Sequence, residues 1–160
     1  MEIKFLKKML KYPTLRNWTN QGMLLEEIKR LETIYNNGSP FPQSLREFLY
    51  IAGKQSNLGD IDRGSGYEWM QSEAEKQLKE WKQEIIRPYF VISQLDKCEI
   101  FSFIYLDENF SDPYIYTCLP AYVDEGEPLI SSKPQKTFSN YIIVCLERTI
   151  VEDDELFKTK

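Results

Sequence analysis

The residues of this chain best suited to chemistry are carboxylates gathered in three short stretches. Asp107, Glu108 and Asp112 share DENFSDP, Asp124, Glu125 and Glu127 share DEGE, and Asp60 and Asp62 share GDIDRGSG. Pairs such as Asp60 with Asp62, or Asp107 with Asp112, could act as general acid and base or hold a divalent cation. DIDRGSGYEW has the outline of a calcium loop but lacks the alternating ligand spacing that such a loop needs. Acidic residues also favour ordinary solvated turns, which leaves a carboxylate-based enzyme as the remote reading. A more economical use of the same charge is recognition, because an acidic surface can steer and seat a cationic partner.

Several chemistries are closed to the chain by what it lacks. It has no histidine, which removes Ser-His-Asp and Cys-His catalysis and imidazole metal ligation. Three cysteines, Cys98, Cys118 and Cys145, are too few for a four-cysteine zinc site. Their odd number and apolar surroundings read as buried free thiols in a reducing cytoplasm. No glycine-rich phosphate-binding motif is present, and no cofactor is expected.

Charge is distributed unevenly. Lys4, Lys7, Lys8, Lys11 and Arg16 face only Glu2 over residues 1–20, a balance of +4; the chain as a whole carries −5, so the remainder carries −9. A helix over residues 3–11 would gather the four lysines on one side and Ile3, Leu6 and Leu10 on another. A solvated helix face is preferred there to a membrane anchor, since one short helix without a second signal binds lipid weakly. The acidic remainder argues against direct nucleic-acid binding, which needs clustered Lys and Arg. No apolar run is long enough to cross a bilayer, and MEIKFLKKMLKY does not read as a signal peptide.

These groups must be positioned by a folded core, which 42% apolar and 14% aromatic content can supply. Leu24, Ile28, Leu31 and Tyr35 recur at helical spacing, followed by Leu45, Phe48, Leu49 and Ala52 in FPQSLREFLYIAG. Pro42 suits the start of that second helix, and Gly53 could end it in a left-handed conformation. A glycine-bearing loop over 53–67 leads into a long helix with Met70, Ala74, Leu78, Trp81 and Ile85 on one face, stopped by Pro88. The period then falls to two. YFVIS, CEIFSFIYL and YIYTCL read as strands, the second central, and AYVDEGEPLIS as a hairpin turning over residues 124–127 about Gly126. Phe101, Phe103 and Tyr105 alternate as base-stacking platforms do, but without nearby cations they are assigned to the core. Phe138, Tyr141, Ile142, Cys145, Leu146, Thr149 and Ile150 form the stripe of a closing helix, and EDDE at 152–155 reads as a frayed, soluble tail. The expectation is one α+β domain over residues 1–160: N-terminal helices, an antiparallel β-meander, and a C-terminal helix packed on the sheet. Residues 1–23 are a helical extension and 152–160 a charged tail.

This order of elements resembles the SUKH superfamily, of the cell-wall assembly regulator type with its bacterial immunity-protein relatives. Pro42, Leu45, Phe48 and Leu49 carry the resemblance in the short helix. Phe103 and Tyr105 carry it in the strand, Asp112, Pro113, Tyr114 and Tyr116 in the hairpin, and Phe138 in the last helix. It spans residues 24–150. AGKQSNLG stands where many members have an asparagine and paired glycines, and the long helix over 69–86 replaces a more strand-rich stretch.

The resemblance implies a cytoplasmic, non-enzymatic protein that binds and occludes a secreted toxin domain, nuclease- or deaminase-like. A regulatory scaffold of the cell-wall assembly regulator type is the alternative. The candidate contact residues are Asp107, Glu108, Asp112, Tyr114, Tyr116, Asp124, Glu125 and Glu127, with no catalytic, cofactor or metal residue among them. In a meander the two acidic loops could share one end of the sheet. Trp18, Trp69 and Trp81 read equally as core or as contact residues.

Overall fold

The computed structural model describes residues 1–59, 61, 66–131 and 136–158. Its spine is an antiparallel sheet of β3 (Tyr89–Leu95), β4 (Ile100–Tyr105) and β5 (Tyr116–Cys118), in that spatial order. β4 lies in the middle, as its apolar residues on both faces predict: Phe101, Phe103, Ile104 and Tyr105 are all buried. One face carries an aromatic row in which Phe103 meets Tyr89, Phe101, Tyr105 and Tyr116. On the other, Phe90 meets Tyr35, Phe41 and Tyr67.

Among the described residues, four α-helices pack with the sheet: α1 (Leu25–Tyr35), α2 (Gln43–Ala52), α3 (Tyr67–Glu80) and α4 (Phe138–Lys158). The expected stripe of α2, Leu45, Phe48, Leu49 and Ala52, is buried, and so are Phe138, Ile142, Cys145, Leu146 and Thr149 of α4. Phe48 packs edge-on against Phe138, 5.8 Å between centroids, tying α2 to α4. α3 runs along the free edge of β3. There the Gln71 side-chain amide donates to the Val91 carbonyl and accepts from the Val91 N–H, bonds that a neighbouring strand would otherwise make. The architecture is α+β, with an antiparallel sheet and helices before and after it.

The structure corrects several local expectations. Residues 3–8 are not helical; only Met9–Lys11 forms a short 3-10 turn. Tertiary packing is the reason. Fully buried on α2, Glu47 accepts the N–H groups of Lys4, Phe5 and Leu6 at 2.8–2.9 Å and straps this segment to α2. Leu6 and Met9 are driven into the core while Leu10 is exposed, and no common helical face for Lys4, Lys7, Lys8 and Lys11 exists.

A small hairpin follows, β1 (Thr14–Leu15) and β2 (Trp18–Thr19). Arg16 and Asn17 turn it at φ 51° and 63°, the two positive angles that a tight two-residue turn requires. Gly53 ends α2 at φ −69°, right-handed; glycine is needed there because a Cβ would sit 2.5 Å from the Leu49 carbonyl oxygen. α3 stops at Glu80, well before Pro88, as the chain turns through Lys82 at φ 54°. The acidic run 152–155 belongs to α4: Asp153 accepts the Arg16 N–H at 2.6 Å and Glu152 pairs with the Arg16 guanidinium at 2.7 Å.

Candidate functional site

The ten-residue connection from β4 to β5 carries half of the candidate residues, and each of its three carboxylates grips another part of the molecule. The β3–β4 register pairs Tyr89 with Tyr105, and its continuation brings Arg87 opposite Asp107. The Arg87 guanidinium donates to both Asp107 oxygens at 2.7–3.2 Å while stacking 3.7 Å above the Tyr105 ring. That hydrogen-bonded pair holds the Asp107 carboxyl below its ordinary range and raises the arginine. Glu108 lies 3.6 Å from the same guanidinium and accepts the Tyr116 hydroxyl at 2.7 Å. Burial and that bond to Glu108 push the Tyr116 phenol up to about 12.

Asp112 works on α4. Its two oxygens take the backbone N–H and the hydroxyl of Ser139, at 2.9 and 2.7 Å, while the Pro113 carbonyl takes the Phe138 N–H at 2.7 Å. Two of the donors that a helix start leaves unpaired are thereby satisfied from a distant loop. The Ser111 carbonyl accepts from the Ser44 N–H at the start of α2. The connection is thus tied to the approach to β3, to β5, to α2 and to α4.

Between these ties it holds out two aromatic rings. Phe110 is 53% exposed and Tyr114 is 41% exposed, and they meet edge to face with centroids 6.3 Å apart. Beside them opens a shallow recess lined in part by Pro42, Arg46, Leu106 and Phe110. Tyr116, by contrast, is half-buried and stacked on Phe103, so it supports the connection and does not front it.

Asp124, Glu125 and Glu127 sit elsewhere. The expected hairpin is a 3-10 turn, Pro120–Glu125, begun by a proline whose fixed φ suits a helical start. Gly126 then takes φ 91°, and the chain returns to bridge Cys118 with Ile130. Because β5 runs antiparallel to β4, with Cys118 opposite Phe101 and Tyr116 opposite Phe103, this turn leaves from the far end of the sheet. The two acidic loops therefore do not share an end. All three of its carboxylate residues are exposed.

Of the pairs considered for catalysis, Asp107 and Asp112 are committed to Arg87 and Ser139, and Asp60 and Asp62 lie outside the described residues. Among the described residues no group of three or more Cys, Asp or Glu could hold a metal ion, and no helix is long and apolar enough to cross a membrane. Cys98, Cys118 and Cys145 are buried and form no disulfide with one another, and burial raises the Cys118 thiol to about 12. Trp18 is 39% exposed, while Trp69 packs partly into the core.

Phe110 was missed by sequence reasoning, although a lone phenylalanine in the polar run DENFSDP is a usable signal. Arg87 was missed because its role depends on register. The chain matches no family model, no curated protein and no solved structure.

Proposed function

We propose that this protein is a non-enzymatic protein-binding module of the immunity type, which neutralises a toxin domain by occupying its surface. The observation that carries this reading is the clamped β4–β5 connection presenting Phe110 and Tyr114. Two large rings held in solvent on a tethered backbone lose little entropy when a partner covers them, which is how aromatic anchors concentrate binding energy. The carboxylates around them hold the loop in shape, so they are spoken for before any substrate arrives. Buried thiols suit a reducing compartment, in keeping with a cytoplasmic site of action.

The test is co-expression with candidate nuclease- and deaminase-type toxin domains. Protection of growth, and a complex stable through gel filtration, are expected for the parent protein. Phe110→Ala together with Tyr114→Ala should weaken the complex by about 2 kcal/mol or more, leaving the thermal midpoint unchanged. Absence of protection by the parent would refute the immunity role. Undiminished binding by the double variant would refute this surface.

A further inference from the structure

We infer that the cleft between α4 and the hairpin end of the sheet is a binding site for a small organic phosphate. The cleft has a volume of about 710 Å³, within the range of ligand sites. Its origin lies in the strand sequence. On the face toward α4, the cross-strand pairs run Phe90–Ile104, Ser93–Ser102 and Leu95–Ile100, so two serines stand where large apolar pairs flank them. The register shift between Val91 and Ser93 is what returns Ser93 to the same face as Phe90. The small pair leaves room under α4, and the Tyr141 hydroxyl reaches Ser93 only at 3.4 Å.

Among the described residues the walls are cationic, in a chain of net charge −5. Arg16 enters from the β1–β2 turn, Lys136 from the segment ahead of α4, and Arg148 from α4 itself, and no lining residue described is acidic. Arg16 also holds Glu152 and Arg148 has an interaction of its own, so a ligand would share both guanidinium groups, whereas the Lys136 ammonium has no carboxylate on it among the described residues. Cations converging from three segments above a floor of hydroxyl donors suit a group with three acceptor oxygens and nearly two negative charges. They suit a planar carboxylate less well. This site is separate from the Phe110–Tyr114 surface and stands or falls independently of it.

Isothermal titration of the full chain with AMP, with ribose 5-phosphate and with citrate is the test. At least one phosphate should bind at a single site with Kd below about 1 mM. Lys136→Glu should weaken that binding about tenfold or more, and Val144→Trp, which fills the cleft from α4, should abolish it. The inference is overturned if neither phosphate saturates, if citrate binds as well, or if both variants bind like the parent. Binding of a single-stranded oligonucleotide without either small phosphate would overturn it too.

Discussion

Asp107, Glu108 and Asp112 at one end of the sheet each grip another part of the molecule, whereas Asp124, Glu125 and Glu127 at the other end face solvent. In sequence the two loops look alike: three carboxylates within a few residues, beside a glycine or a proline. Their roles diverge because of what each loop passes over. The first runs past Arg87, Tyr116 and the start of α4, all of which offer donors; the second lies on a 3-10 helix, and no side-chain bond to its carboxylates is found among the described residues. Acidic loop composition is thus no guide to a contact surface until its hydrogen-bond partners are known. In the first loop the functional signal passes from the charges to the rings they hold in place.

The contrast between committed and free carboxylates can be broken most forcefully at Glu47, the extreme of the committed kind. It is fully buried and accepts three backbone N–H groups and the Gln43 side chain. Glu47→Ala should cost about 3 kcal/mol or more in urea denaturation, because three backbone donors lose their shared acceptor together. A loss under about 1 kcal/mol would mean that the N-terminal strap is held by Leu6 and Met9 alone.

Asp112→Ala comes next. Loss of the bonds to Ser139 at the start of α4 should cost about 1–2 kcal/mol. It should also raise amide hydrogen exchange over residues 110–114, whereas Asp124→Ala should change neither quantity. Equal effects from the two substitutions would erase the distinction between the loops.

The parts of this fold legible in the sequence are those governed by periodicity. The buried stripes of α2 and α4 and the central place of β4 follow from apolar spacing that any packing partner would satisfy. What escaped the sequence depended on one side chain reaching a distant backbone. Nothing in MEIKFLKK announces that Glu47, 41 residues beyond Leu6, will take its N–H groups and strap the segment to α2. The type of the Arg16–Asn17 turn was hidden for a related reason. Neither residue is glycine, and the positive φ is held in part by Asp153 on the last helix. At the candidate site, Tyr114 stands out by type, whereas the internal partners of Asp107, Glu108 and Asp112 are set by register and loop path and so were hidden.

Asp107 offers a finer comparison through pH. Its carboxyl is held below the ordinary value near 3.9 in the folded state, first by the hydrogen-bonded Arg87. A depressed folded pKa adds stability that is complete above the unfolded value and disappears as pH falls through the folded one. The side chain is 39% exposed, so solvent screening keeps the contribution below about 1 kcal/mol. Asp107→Asn should be less stable than the parent at neutral pH by that small amount, with the two denaturation curves converging below the ordinary carboxylate range. A gap that persists into strong acid would assign the effect to packing against Tyr105 and not to charge.

The smallest expected effect belongs to the free loop, and it decides whether the comparison is real. Replacing Asp124, Glu125 and Glu127 with lysine moves the net charge by six units without removing any hydrogen bond found among the described residues. Stability should therefore stay within about 0.5 kcal/mol, the usual range for surface positions. Any consequence should appear in association kinetics: slower capture of a cationic partner at low ionic strength, with the difference fading as salt screens the long-range field. Salt-independent kinetics in both parent and variant would leave these three residues as solubilising turn residues and remove electrostatic steering from the mechanism. A stability loss above about 1 kcal/mol would instead show that the 3-10 turn uses its carboxylates as the β4–β5 connection does, and the two ends of the sheet would no longer differ in kind.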